Sequence, residues 1–222
     1  MSDKDFEYWW TVPGQWVEPP NERRNGWSGM MRVREDGRLL YVKRQRNHLC
    51  RTLLHPLGWP TASREWFYLN LLRLVGVTAP EPVFHDVRDT PEGKEAVLVT
   101  EELAGYADLA AQADLAPSRR RALACELGLR LGVLHRARLQ HSSLYDKHIM
   151  VRWSGEAPQV ALIDLEKMRR RLTRRAAARH DLEQLKRRQR VFDDQDWQTL
   201  VEAHAQGMGG AARRAMTSSR TP

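Results

Sequence analysis

With 222 residues and 41% hydrophobic side chains, the chain has enough apolar material for a real core and is not a disordered polymer. Its net charge of +8 is concentrated in one stretch, since Lys167 to Arg190 alone holds eleven Lys and Arg against Asp181 and Glu183. Cys50 and Cys125 stand apart with no CxxC pair, and MSDKDFEYWW has no apolar h-region, so neither a disulfide framework, nor a structural zinc site, nor secretion is expected.

In chain order, the first clear signal is a hairpin. WSGMMRVRE and RLLYVKRQ flank Asp36-Gly37, a pair favoured in a type I′ turn. Ser63 to Val75 is predicted helical, with Tyr68, Leu71, Leu72 and Val75 on one stripe and Gly76 as its stop. Strands around Glu81–Val87 and Glu95–Thr100 follow, separated by the turn-prone Asp89 to Gly93. These make a β-rich first part with one helix, residues 1–103; residues 104–222 change to a helical pattern. There Ser118 is placed to cap a helix in which Leu123, Leu127, Leu131 and Leu134 recur at helical spacing, as far as about Leu139. Ile149–Trp153 and Gln159–Leu165 read as two short strands around Gly155 to Pro158, and the remainder from Lys167 as mostly helix. An α+β bilobal plan results.

Several residues in this order have phosphoryl-transfer chemistry. Asn25, Gly26, Trp27, Ser28 and Gly29 precede the hairpin, where small residues let backbone N–H groups approach a phosphate or simply make a turn. Lys43 shares a strand face with Leu39 and Tyr41. Glu65 is the sole acid between Gly37 and Pro80 and lies on the edge of the helix stripe, so it is expected to pair with Lys43 and orient it toward phosphates. Asp164 follows the apolar run Val160-Ala161-Leu162-Ile163, where it offers a hard oxygen ligand at a strand end or caps the next turn. His148 opens the other arm of that strand pair; as a softer ligand it suits Mn²⁺ or a direct phosphate contact, or else a structural role.

The ordered set of Lys43, Glu65, HSSLYDKHIMV (141–151), LIDLEK (162–167) and HDLEQL (180–185) resembles the lipopolysaccharide kinase family, the Kdo/heptose kinases, in its WaaP and InaA-like branches, over nearly the whole chain. The resemblance implies a protein-kinase-like fold and ATP-dependent phosphorylation of an inner-core sugar with Mg²⁺ or Mn²⁺. It also implies that His148 takes the place of a metal-binding asparagine, that Asp164 is the metal-binding aspartate, and that Asp181 supports the loop around His141. Gly26, Ser28, Gly29, Lys43, Glu65, Glu101 and Leu103 are the expected nucleotide-binding set. The chain departs from the family pattern where His141-Ser142-Ser143 replaces His-Arg-Asp, so the general base is missing, and where DLE replaces DFG, removing a glycine hinge.

General-base assistance is worth about 10²–10⁴-fold in rate, whereas alignment and charge stabilisation supply most of the acceleration in phosphoryl transfer. Two readings follow. One is a kinase of reduced activity, in which Asp146, three residues after Ser143, either serves the acceptor hydroxyl or is a plain turn residue. The other is a pseudokinase that binds nucleotide or a partner without transfer. For the kinase, the basic Lys167–Arg190 stretch suits an anionic glycolipid or sugar and a peripheral position on the cytoplasmic face of the inner membrane. It also reads simply as a solvated helical face. Interleaved aromatics are lacking there, which argues against nucleic acid.

Overall fold

A computed structural model describes residues 4–23 and 26–210; Asn25, assigned above to the phosphate loop, lies outside the described residues. The chain divides into two compact units, one of residues 1–71 and 80–104, the other of 72–79 and 105–222.

The first unit begins with a short helix that the sequence reading missed, α1 (Phe6–Thr11), followed by β1 (Gln15–Arg23), β2 (Gly26–Glu35) and β3 (Arg38–Arg46). Asp36 and Gly37 between β2 and β3 both have positive φ, 50° and 76°, as a type I′ turn requires. A small separate hairpin of β4 (Leu49–Thr52) and β5 (His55–Pro60) leads into α2 (Thr61–Val75), and β6 (Pro82–Thr90) and β7 (Gly93–Glu101) complete the five-stranded antiparallel sheet β1-β2-β3-β7-β6. β6 and β7 run longer than expected, so the turn shrinks to Pro91-Glu92. Pro19 and Pro20 lie in β1, which is tolerable because β1 is an edge strand with register irregularities on either side of Glu18.

Alternation along β3 separates the two faces of this sheet. Leu40 and Val42 join Met31, Val33, Val97 and Val99 in a core closed by Phe6, Trp9 and Val12. Arg44, on that same face, donates from Nε to Trp9 O (2.9 Å) and from Nη2 to Val12 O (2.6 Å), fixing the end of α1; burial lowers its guanidinium pKa from the ordinary value. Lys43 and Gln45 point to the other face, which is that of α2. α2 buries Thr61, Ala62, Glu65, Tyr68, Leu69 and Leu72, so Tyr68 and Leu72 of the expected stripe are buried while Leu71 and Val75 are only half-buried, and Gln45 fastens the start of the helix.

The second unit contains β8 (Ala107–Asp108), α3 (Pro117–Arg136), β9 (Leu139–Gln140), β10 (Ile149–Ser154), β11 (Ala157–Leu162), β12 (Arg169–Arg170), α4 (Arg174–Arg188) and α5 (Asp194–Gly209). Ser118 is not the cap of α3: Ala116 holds that place and Pro117 starts the helix, since proline there loses no helical hydrogen bond. The helix also ends sooner than expected, because Arg138 turns to φ 62° and Leu139 enters β9, paired with β12. Arg169 and Arg170 are therefore strand, and helix resumes only at Arg174. Gly132 of α3 and Gly207 of α5 let the two backbones touch; a Cβ at either would strike the other helix. That close approach brings His135 and His204 together.

Candidate active site

In the first unit Lys43 and Gln45 act on one helix at successive turns. Gln45 donates from Nε2 to Thr61 Oγ1 (2.9 Å) and Ser28 Oγ (3.1 Å), while its Oε1 accepts from Ala62 N (2.9 Å). The start of α2 is thereby fastened to β3, and Glu65 is carried one turn further along. Lys43 Nζ meets Glu65 Oε2 at 2.5 Å, with both side chains about 10% exposed. Gln45 was not singled out from sequence; its signal is the i, i+2 spacing from Lys43.

Gly26, Ser28 and Gly29 all lie in β2. Their small size has an intrachain cause. A Cβ on Gly26 would collide with the backbone of Asn47, one on Gly29 with Trp16 of β1, and Ser28 is bonded to Gln45. Glu101, at the end of β7, accepts from Arg38 Nη1 (2.7 Å), and Leu103 is half-buried just beyond it.

In the second unit Asp181 organises the loop after β9. It sits on the buried stripe of α4 with Ala177, Ala178 and Leu185, fully buried. Its two oxygens accept from His141 N (2.6 Å) and Ser142 N (3.0 Å), and the latter residue is held at φ 71°. Burial pushes the Asp181 carboxyl up, but the hydrogen bond from His135, the fields of His135 and His141 and the His141 N–H outweigh it, and the net shift is down. Gln184, one turn along α4, accepts from Leu144 N at 2.6 Å and was also missed from sequence.

His141 Nε2 lies 2.9 Å from Ile163 O, so that nitrogen carries the proton, and Nδ1 accepts from Ser143 N (3.3 Å). Burial lowers the His141 pKa and keeps the ring neutral. His148 Nδ1 donates to Ser143 O (2.7 Å), and its Nε2 stands 3.3 Å from Asp164 Oδ2. In the neutral ring that nitrogen presents a lone pair toward a carboxylate, an unfavourable arrangement unless a proton or cation lies between them. An imidazole oriented through its far N–H with the near nitrogen bare is also how a metal-ligating histidine is held. The pair thus fits a divalent cation that takes its remaining oxygens from phosphates and water. Among the described residues no group of three or more His, Cys, Asp or Glu forms a metal cluster, so the chain would supply a partial coordination shell.

Asp164 adopts φ 60°, ψ 61°, a left-handed backbone that aspartate tolerates better than most residues, and its carboxylate does not cap the turn that follows. That rules out the capping role. Leu165 after it is fully buried, and Glu166 lies in a regular 3₁₀ turn with no positive φ, so a glycine there has no conformational task. Asp146 opens the short 3₁₀ turn Asp146–His148, and its Oδ1 accepts from Lys147 N (2.9 Å). Ser143 is 1% exposed, and its Oγ has no hydrogen-bond partner among the described residues.

Behind Asp181 runs a chain of buried rings. His135 Nε2 is 3.3 Å from Asp181 Oδ2, and its Nδ1 is 2.8 Å from His204 Nε2. Burial, and then the neighbouring His135, push the His204 pKa from 6.5 down to about 4. Between those values the unfolded chain binds more protons at His204 than the folded one, so folding stability falls as pH drops through that window. The slope is at most about 1.4 kcal/mol per pH unit. Urea midpoints measured from pH 7 to 4 are expected to show it, and His204→Gln, which keeps a donor toward His135, to flatten it. Equal slopes in the two proteins would count against His204 as the source.

The eleven basic residues of Lys167–Arg190 are all exposed, spread from the turn at Lys167 through β12, the following loop and α4 to Arg190 rather than along one helical face. Arg138, Arg170 and Arg174, with Arg136, Leu172 and Thr173, line a cavity of about 490 Å³. None of these four arginines pairs with an acid among the described residues.

A profile of the Lipopolysaccharide kinase (Kdo/WaaP) family matches residues 7–204. The chain is 38% identical over 202 residues to Protein InaA of Escherichia coli (strain K12), covering 88% of this chain and 93% of that one. Among solved structures it is similar to WaaP in complex with acyl carrier protein, with TM-score 0.72 at 23% identity, covering 94% of this chain and 86% of the other. It is also similar to the Rio2 kinase–ADP/Mg²⁺–phosphoaspartate complex from Chaetomium thermophilum, with TM-score 0.52 at 16% identity over 90% and 70% of the two chains. These likenesses establish the protein-kinase-like α+β fold. By the extent of the profile match and the identity to InaA, the chain belongs to the lipopolysaccharide kinase (Kdo/WaaP) family.

Proposed function

We propose that the chain transfers the γ-phosphoryl group of ATP to a hydroxyl of a lipopolysaccharide inner-core sugar or a related glycan. The observation that carries this reading is the buried Lys43–Glu65 pair at 2.5 Å, which orients an ammonium for nucleotide phosphates. His148 and Asp164 would hold the divalent cation, which neutralises charge on the phosphates. Gly26, Ser28, Gly29, Glu101 and Leu103 remain the proposed nucleotide contacts in the first unit. The arginine-lined cavity supports an acceptor that itself carries acidic groups. Among the described residues no helix is long and apolar enough to cross a membrane, and we place the protein at the cytoplasmic surface of the inner membrane as a peripheral protein. Incubation with labelled ATP, Mg²⁺ or Mn²⁺ and lipopolysaccharide core glycan is expected to add one phosphate by mass spectrometry. Failure to bind nucleotide with either metal would sink the proposal.

The second reading, a pseudokinase, is favoured by Ser143, a buried hydroxyl where a general base would stand. Ser143→Asp separates the two. For a kinase limited by acceptor activation, turnover rises at least about tenfold, within the range of general-base assistance. A pseudokinase binds ATP in thermal-shift assays and releases no phosphate in either form.

A further inference from the structure

Four arginines reach one cavity of about 490 Å³ in the second unit from separate pieces of backbone: Arg136 at the end of α3, Arg138 just before β9, Arg170 in β12 and Arg174 in the first turn of α4. No acid answers them. The segments that supply them, 127–145 and 167–180, contain no Asp or Glu, and none of the four makes an ion pair among the described residues. Two of the four stand where local physics disfavours them. Arg138 takes a left-handed φ of 62°, a conformation that suits Gly or Asn, and its carbonyl accepts from Arg171 N (2.8 Å). Arg174 sits at the positive pole of α4, a place for Asp or Glu, and the first turn of that helix has no acid. One wall is already fixed: Arg136 Nη1 donates to Gly207 O (3.1 Å), which anchors that guanidinium.

We infer that this cavity binds the phosphate group of a phosphorylated sugar, and that the bound group braces the loop after β9 through the elements that support it. Repulsion among four guanidiniums, and between Arg174 and the α4 dipole, is relieved by one compact dianion. A phosphate monoester carries about two negative charges near neutrality and offers three oxygens to forked guanidinium contacts, whereas a carboxylate offers two oxygens and a single charge. The volume is that of a small-molecule site, larger than a bare phosphate needs, so the group has room for its sugar. The walls of the cavity are the supports of the loop. β12 pairs with β9 through Arg170 and Leu139, and β9 runs directly into His141; α4 carries Asp181, which holds His141 N and Ser142 N. A phosphate shared by Arg138, Arg170 and Arg174 therefore ties these pieces together. The site shares no residue with Lys43, Glu65, His148 or Asp164. It deepens the acceptor reading above, on which the sugar as carrier rests, while the phosphate site itself stands whether or not the chain transfers phosphate.

Isothermal titration of the full chain without ATP or metal tests it, with glucose 6-phosphate as the probe and glucuronate as its carboxylate counterpart. Glucose 6-phosphate is expected to bind at least about tenfold more tightly than glucuronate. Arg138→Gln/Arg170→Gln/Arg174→Gln should lose at least about tenfold of that affinity, with a ligand-free thermal midpoint at or above the parent value, since repelling charges and no ion pair have been removed. Lys43→Met and Asp164→Asn should bind the probe as the parent does, which separates this site from the proposed nucleotide site, and absence of transfer in the labelled-ATP assay would leave these binding results as they are. Hydrogen exchange at the His141 and Ser142 amides should slow on adding glucose 6-phosphate to the parent and not to the triple variant. Four results would overturn the inference: no binding of glucose 6-phosphate at about 10 mM, equal binding of glucuronate, equal binding by the triple variant, or binding that leaves exchange at both amides unchanged. Arginine-dependent flotation with vesicles containing phosphatidic acid, without binding of glucose 6-phosphate, would overturn the sugar as carrier and move the phosphate to a lipid headgroup.

Discussion

Asp164→Asn is expected to lower metal-dependent ATP turnover by about 10³-fold, or roughly 4 kcal/mol in the barrier. Asparagine keeps the side-chain shape and also tolerates the left-handed φ of 60°, so the backbone at this position should survive. What disappears is the negative oxygen facing His148 Nε2 at 3.3 Å, and with it the charged half of the cation site. Lys43→Met should fall to a similar level for another reason, loss of the ammonium that Glu65 holds. Two measurements distinguish the causes. Mn²⁺ titration followed by electron paramagnetic resonance in the presence of nucleotide should weaken in Asp164→Asn and stay near the parent value in Lys43→Met. A turnover loss of less than tenfold in Asp164→Asn would remove that residue from the metal site.

Asp181→Ala should destabilise the second unit by about 3–5 kcal/mol, the usual cost of removing one member of a buried charged network. Three donors lose their acceptor at once: His141 N, Ser142 N and His135 Nε2. Asp181, His135 and His141 are fully buried, so the His141 and His135 donors are shielded from water, whereas Ser142 is half-buried. Asp181→Asn is not expected to rescue, since one carboxylate oxygen becomes an N–H₂ aimed at donors. Urea unfolding measures the loss, and hydrogen exchange at the His141 and Ser142 amides should quicken in step with it. Because the Asp181 carboxyl is held below its ordinary value, its stabilising share is present near neutrality and disappears only in acid, below the window in which His204 titrates. A variant that unfolds at the parent midpoint would show that the loop is held by other contacts.

Local chemistry was legible in the sequence wherever neighbours along the chain decide the outcome. Asp36-Gly37 makes its turn because both residues accept positive φ, and Gly76 stops α2 for the same reason, at φ 79°. The paired strands β10 and β11 were readable from apolar runs, and with them the positions of His148 and Asp164. Lys43 and Glu65 were found from charge scarcity, because a lone acid in a basic stretch is conspicuous without knowledge of the fold. The same local reasoning failed at Ser118, because Pro117 starts the helix and Ala116 holds the cap position.

Composition and short spacings therefore determined the fold class, the family resemblance and most of the residues on which a phosphoryl-transfer site would be built. Only tertiary structure decided how those residues are held. Gln45 grips α2 across 16 residues of sequence, and Asp181 receives His141 N from 40 residues away and His135 from 46. The His135–His204 contact depends on two helices approaching at Gly132 and Gly207, 75 positions apart in the chain. Such contacts leave no periodic trace, because each joins a single side chain to a partner brought near by packing elsewhere. The leucines of the β4–β5 hairpin, Leu53, Leu54 and Leu57, are the converse case, because nothing in their sequence neighbourhood marks them as exposed and only the fold leaves them facing outward.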